Sequence, residues 1–476
     1  MSEPAGRPAP EETGFIRQLG RWDALAIGFG AMIGFGWVVL TGEWLDAAGS
    51  LGAVLAFVVG GAIMGLVGLT YAELVAAMPH AGGEHNYVMR AMGSRLSFLA
   101  SWALVGGYAT IAAFEAVALP RTAAYLWPSV SDVELWSVAG SPVYLGWGLI
   151  GTIAAVLLTA INIVGIRPAS MIQTFVVSFL VLVAVLMLTG GFVGGSLDEA
   201  EPFFSGGFGG FVSVLVVVPF LFVGFDVIPQ SAEEIKLPFP VMGKLIVVSV
   251  AMATIFYILM VGGASLAMDR GELMKSDLAT ADALGALWGS DIFAKVLVAG
   301  GLAGILTSWN AFLIGASRLL YAMGRSRMLP AAFGRLSPRF RTPVTALLFI
   351  GGLSAAAPWL GADALGWLVD SGSPSVVIGY LLVAIAFVIL RRREPGMERP
   401  LRIGGAGQGG LIIGVAAIVL TAGLATLYLP GMPSALPPEP WALFGLWWVA
   451  GFLLLLRVPS VAPGPDAEER LLAGQG

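Results

Sequence analysis

Residues 26–42 read AIGFGAMIGFGWVVLTG, a run apolar enough to cross a bilayer in which five of seventeen positions are glycine. Gly28, Gly30, Gly34 and Gly36 crowd one window, and each glycine weakens a helix by roughly 1 kcal/mol relative to alanine. A helix so composed is built to come apart. In lipid a broken helix is tolerated only where its freed backbone groups face protein or a water-filled cavity. The break then presents N–H groups that attract a carboxylate and C=O groups that attract an ammonium or alkali cation. Glycine lets a solute approach that backbone closely. Ile33, Gly34, Phe35 and Gly36 therefore form a candidate site for a small zwitterion held by main-chain groups. Gly30 and Gly34 also make a GxxxG helix-packing motif, and on this window alone that reading stays open. The absence of a surrounding βαβ unit argues against a dinucleotide fingerprint.

Outward from this window the chain keeps one character. Of 476 residues, 57% are hydrophobic and 12% charged, whereas a soluble domain carries about 25% charged residues. Apolar runs of about twenty residues recur, each long enough for a hydrocarbon core ~30 Å thick. The fold class is an all-α polytopic membrane protein; the alternating segments of a β-barrel are missing. The pattern predicts twelve spans, near 22–45, 50–77, 95–120, 143–165, 171–195, 209–232, 241–267, 292–324, 343–360, 364–391, 410–430 and 440–457, joined by short polar loops. The eighth run is too long for one vertical span and is expected to reach beyond the bilayer.

Residues 1–20 are polar, proline-rich and without the apolar core of a signal peptide, which predicts a cytoplasmic N-terminus. With that end inside, all but four of the 25 Lys and Arg residues fall on the inner side, Arg121, Arg270, Lys275 and Lys295 being the exceptions. The positive-inside rule then puts both termini of a multi-pass cell-membrane protein in the cytoplasm. The Arg clusters at 318–341 and 391–402 read as topology determinants, with anionic-lipid contact secondary. The last stretch, PSVAPGPDAEERLLAGQG, residues 459–476, reads as a disordered end. With no cysteine and only two histidines, His80 and His85, both in one loop expected to be solvated, metal and nucleophile chemistry has little to draw on. No cofactor and no nucleic-acid partner is expected.

A second interruption lies in VVVPFLFVGFDVIPQSAEEIKLPFPV, residues 216–241, where Pro219, Gly224 and Pro229 break the sixth run and Asp226 sits inside it. Paired interruptions five spans apart are a transporter signature. Spans one to five and six to ten then form two halves of opposite orientation, followed by spans eleven and twelve. The organisation is a tail at 1–20, a ten-helix core at 21–405, two further helices at 406–458 and a tail at 459–476.

Six stretches carry a family resemblance: GAMIGFGW at 30–37, MPHAGGEHNYVMRAMG at 78–93, NIVGIRPASMIQ at 162–173, FLFVGFDVIPQSAEEIKLPFPV at 220–241, SRLLYAMGRSRMLP at 317–330 and REPGMERPLRIG at 393–404. In this order and spacing the chain resembles the amino acid–polyamine–organocation transporters over roughly residues 15–405. The resemblance implies a LeuT-type five-plus-five inverted repeat, broken helices one and six, and alternating access for amino acids or related amines. It places the substrate carboxylate at Ile33–Gly36 and the amino group at the carbonyls of Phe220, Leu221 and Phe222. It makes Phe220 an aromatic gate and puts Phe312, or its neighbours Trp309 and Asn310, on the opposite wall. Several proton-coupled relatives carry a lysine in span five; here MIQTFVVSFLVLVAVLMLTGG, residues 171–191, has none.

Ionisable groups at bilayer depth default to functional candidates. Glu43 and Glu73 lie close enough to helix ends to reach water and read as structural. Glu115 either pairs with Arg121 or joins Asp226 in proton coupling or in binding a cationic substrate. Thr307 and Ser308 offer a sodium alternative together with first-span carbonyls. The resulting expectation is a proton-coupled amino acid permease, a secondary transporter and not an enzyme, working on a small-molecule substrate in contact with membrane lipid. An amine or polyamine carrier and an amino acid exchanger are the alternatives.

Overall fold

The computed structural model describes residues 15–276, 278–361 and 363–473. The first apolar run is not one helix. α1 (Arg21–Met32) stops where Ile33 leaves helical geometry at φ −108°, ψ 60°, and the chain turns through Gly34 and Phe35 before α2 (Gly36–Val39) and α3 (Thr41–Ala48) resume it. A long apolar helix follows, α4 (Ser50–Ala77), then a short one, α5 (Glu84–Met92), then α6 (Ser94–Leu126). After a hairpin come α7 (Leu145–Val164) and α8 (Ile166–Val193).

The sixth run is also broken. α9 (Gly207–Leu215) and α10 (Val218–Leu221) give way to turns over residues 222–226, after which α11 (Val227–Gln230) closes the segment. Gly224 sits there at φ +140°. A Cβ on it would lie 3.0 Å from the Met32 nitrogen and closer still to Ala31, so the two breaks pack backbone against backbone. Only glycine tolerates both that torsion and that approach.

The rest of the core is α12 (Phe239–Ser265), two short helices α13 (Arg270–Leu273) and α14 (Ala279–Trp288), α15 (Asp291–Arg325), α16 (Val344–Ala356) and α17 (Ala364–Arg393). α18 (Gly409–Leu427), α19 (Pro438–Leu455) and α20 (Ala467–Ala473) complete the chain. Among the described residues nine helices are long and apolar enough to cross a membrane: α4, α6, α7, α8, α12, α15, α17, α18 and α19. α15 has 35 residues, about 52 Å at 1.5 Å per residue, which exceeds a hydrocarbon core as its length in sequence suggested. α4 packs along α12, α6 along α15 and α17, and α1 is enclosed by α8, α12 and α15. Lipid offers no hydrophobic drive between helices, so close contact through small residues holds such bundles together.

Four expectations are corrected. The segment between α6 and α7 is not a plain loop: β1 (Glu134–Val138) pairs antiparallel with β2 (Ser141–Tyr144) across Ala139 and Gly140, both at positive φ, as a tight hairpin turn requires. The loop holding the histidines is largely inside the protein; His85 is 1% exposed, although His80 does face solvent. Glu73 does not reach water. It is 1% exposed and bonded to Arg391 and Arg399, while Arg318 pairs with Glu234 at 2.9 Å, so part of the Arg clusters is internal scaffolding. The tail is ordered through residue 473. Ser94 Oγ donates to the Pro459 carbonyl, Gly464 N–H donates to the Arg90 carbonyl at 3.0 Å, and Leu471 is buried against the bundle. The amphipathic run AEERLLA gives that tail a face to bury.

Candidate functional site

At the first break the last carbonyl of α1 is already satisfied: Tyr257 of α12 donates its hydroxyl to Met32 O at 2.8 Å. What the break leaves open is the amide side, residues 34–36, and it leads into a hollow of about 20 Å³. Gly34, Phe35 and Gly36 line it from the first break, Phe220 and Leu221 from the second, and Phe312 from α15. The two interruptions thus meet one small space, with room for about one water.

Glu115 of α6 enters this hollow at the amide end. Its carboxyl lies against the Phe35 amide and the Ser308 hydroxyl, and among the described residues its Oε2 has no hydrogen-bond partner. A side chain on Gly34 would run into that carboxyl and lie 2.8 Å from Ser308 Oγ. Gly34 is therefore required by close approach of a side chain to the backbone. Glu115 does not pair with Arg121; that guanidinium lies beside Glu43 instead.

Beyond the hollow, on the side away from the N-terminus, is a vestibule of about 540 Å³ that includes Glu43, Arg121, Trp367 and Asp370. Phe35 and Phe114 line both spaces. Their rings are 6.4 Å apart, and Phe114 meets Phe220 edge-on at 5.9 Å, so three aromatic rings partition hollow from vestibule. Phe114 was missed by sequence reasoning; an aromatic one residue before a buried glutamate was the available signal.

The opposite side is sealed. Gln18 and Leu19 donate their amides to Glu234 O at 2.9 and 3.0 Å, and Lys236 N–H returns to Leu19 O at 2.8 Å. Arg318 bonds the Glu234 carboxylate and stacks on Phe15. Burial raises the Glu234 carboxyl above its ordinary range, with Arg318 opposing the rise.

The remaining candidates divide. Phe222 turns from the hollow and stacks on Tyr257, and Gly224 serves the packing of the breaks. Asp226 is fully buried outside the hollow; its Oδ1 accepts from Gly224 N–H at 2.8 Å and its Oδ2 from Tyr108 and Tyr380 hydroxyls at 2.7 and 3.1 Å. Thr307 and Ser308 point apart: Ser308 faces Glu115, whereas Thr307 donates to Gly304 O and faces a cleft shared with Gln173 and Asn310. Asn310 is held between Asn162 and Gln173 and does not line the hollow, nor does Trp309.

The family model described as amino acid permease matches residues 19–454. A branched-chain amino acid permease of Bacillus subtilis is 28% identical over 407 residues, covering 83% of this chain and 85% of that protein. A methylthioribose transporter of the same organism is 26% identical, with 92% of each chain covered. A vacuolar cationic amino acid transporter of Arabidopsis thaliana is 27% identical over 80% of this chain and 64% of its own.

Proposed function

The chain belongs to the amino acid permease family, and on that premise we propose that it is a secondary transporter of amino acids, coupled to protons and working by alternating access. It has twelve spans in this reading, ten of them in a five-plus-five inverted repeat, with both termini in the cytoplasm. The vestibule then faces outward, and the structure corresponds to a state sealed on the cytoplasmic side. The observation that carries the proposal is the small hollow bounded by both breaks, with Glu115 at its amide end.

The substrate carboxylate takes the amide end, residues 33–36, and the amino group takes the carbonyls of residues 220–222. Ile111, Phe114, Leu221 and Phe312 line the same hollow and, once it widens to take a substrate, present an apolar wall to the side chain. The aromatic rings of Phe35, Phe114 and Phe220 part to admit substrate and close above it.

Coupling follows from charge at the amide end. Glu115 stands where the arriving carboxylate must bind, and two carboxylates sharing one site cannot both stay ionised. A proton on Glu115 turns it from a competitor into a hydrogen-bond donor toward the substrate. Above the pH at which Glu115 of the empty site takes up its own proton, binding one substrate takes up one proton, and apparent affinity there strengthens as pH falls, by up to about tenfold per unit. Asp226, saturated by three donors, holds the second break in shape. The amine reading would be favoured by Glu115 and Asp226 both facing the pocket, and only Glu115 lines it among the described residues; it keeps support from the carboxylates Glu43, Asp363 and Asp370 of the vestibule, which Arg121 also lines.

The test is uptake by purified protein in liposomes across amino acids and amines, under imposed proton or sodium gradients. Proton-driven accumulation of a neutral amino acid is expected. Uptake of amines alone, or accumulation driven only by sodium, would defeat the proposal, and counterflow without gradient-driven accumulation would make the protein an exchanger.

A further inference from the structure

Glu84, the first residue of α5, is a buried carboxyl that the transport reading does not use. Apart from Glu115 at the hollow, the other buried acids have evident partners: Glu73 has two arginines, Glu234 has Arg318, and Asp226 has three donors. Glu84 is 0% exposed and, among the described residues, forms no ion pair. The carboxamide of Gln230, at the end of α11, donates to its Oε2, and the Tyr71 hydroxyl and its own backbone amide lie against the same carboxyl.

That contact leaves a matched pair of orphans. Glu84 Oε1 and Gln230 Oε1 are both buried, and among the described residues neither has a hydrogen-bond partner. The Tyr71 and Tyr87 hydroxyls beside Glu84 are also without a hydrogen-bond partner among the described residues, and satisfying both oxygens of the Glu84–Gln230 contact at once calls for a hydrogen shared between them. A carboxylic acid facing a carboxamide supplies it: the amide donates to one carboxyl oxygen while the other donates its proton to the amide oxygen. Leaving both oxygens bare would cost the full desolvation of each.

Among the described residues no free positive group serves instead. Tyr71 faces Glu84 from α4, Tyr87 from its own helix, Tyr108 from α6, Tyr380 from α17 and Asp226 from the second break. From α15, Arg318 is engaged with Glu234. The adjacent His85 turns away, to Ser97 and Ser326, and Ser326 donates to Glu468 of α20. Burial, reinforced by the Asp226 charge, holds the Glu84 carboxyl well above the ordinary carboxylate range.

We infer that Glu84 is a second proton-binding site, its proton shared with Gln230 Oε1 while the N-terminal face is closed and released when α5 swings away and Glu84 meets water. The inference rests on the alternating-access reading above. It joins the second break, through α11, to the helix that seals that face, so opening of the face and loss of a proton are one event.

The chain's lack of cysteine makes a direct test available. Ala322 lies beneath Gly82 in the sealed face, and Glu398 is exposed on the same side. The maleimide labelling rate of Ala322→Cys, divided by that of Glu398→Cys, reports opening with thiol ionisation cancelled. This ratio is expected to rise with pH, by up to about tenfold per unit for one released proton, and to become flat and low with Glu84→Gln. Glu84→Asp, whose shorter arm breaks the pair with Gln230, keeps the slope but shifts it to lower pH, and it decides the matter where Glu84→Gln fails to fold. A flat ratio without the Glu84 substitution, a wild-type slope in Glu84→Gln, or an unshifted profile in Glu84→Asp each overturns the inference. Substrate affinity in Glu84→Gln keeps its own pH dependence, set by Glu115; its absence in the wild type with the labelling slope intact would remove the coupling proposal and leave Glu84 standing.

Discussion

The two interrupted helices use the same device to opposite ends. At residues 33–36 the break is made by glycines, its carbonyl side is closed by Tyr257, and its amide side opens on a hollow where Glu115 retains an unpartnered oxygen. At residues 222–226 the break is filled: Asp226 takes Gly224, Tyr108 and Tyr380 as donors, and Gly224 packs on Ala31 and Met32. One break keeps its polarity for a visitor and the other spends it on the fold. An unsatisfied buried group is costly, so the open one is where function is to be sought.

The largest expected effect breaks the open site. Gly34→Leu drives a side chain into the place of the Glu115 carboxyl and Ser308, and substrate binding is expected to fall below detection while expression persists; full affinity in that variant would refute the pocket. Next, Glu115→Gln is expected to abolish accumulation driven by a pH gradient, which otherwise reaches up to about tenfold per unit, while counterflow survives. Retained gradient-driven accumulation would move coupling elsewhere.

The filled break answers differently. Asp226→Asn removes an acceptor from three donors and is expected to cost about 1–3 kcal/mol of stability, read as a lower melting temperature, with the pH profile of uptake unchanged. A flattened profile would show that Asp226 carries the coupling proton. The smallest effect lies at the sealed face. Burial lowers His85 to about 4, with Glu468 opposing the fall, so the folded state keeps it neutral where an unfolded chain takes a proton. Its contribution is complete above the unfolded value near 6.5 and is lost as pH falls toward 4, amounting to about 1.4 kcal/mol at pH 5.5. His85→Gln should remove that portion of the acid sensitivity in melting curves measured between pH 7 and 5.

Composition and glycine spacing made the bundle and its first break legible, because bilayer thickness and helix propensity act locally. Pro219, Gly224 and Pro229 marked the second break for the same reason. What stayed hidden depends on distant partners. Glu73 finds Arg391 more than three hundred residues away, and nothing near either residue announces it. His85 looked solvated because a short polar loop usually is, yet EHNYVMRAM forms a helix with Glu84, His85, Tyr87 and Val88 buried. Of the neighbours Trp309, Asn310 and Phe312, only Phe312 lines the hollow, since helix rotation follows from packing. The hairpin was readable in ELWSVAGSPVY, whose two short runs flank an Ala-Gly turn.

The central claim, that the substrate carboxylate and Glu115 share one proton at the first break, is tested most directly by equilibrium substrate affinity as a function of pH. Above the pH at which the empty site's Glu115 is protonated, wild-type protein should bind up to about tenfold more tightly per unit of acidification, and Glu115→Gln should bind with no such slope. A pH-independent affinity in the wild type, or an undiminished slope in Glu115→Gln, would contradict it.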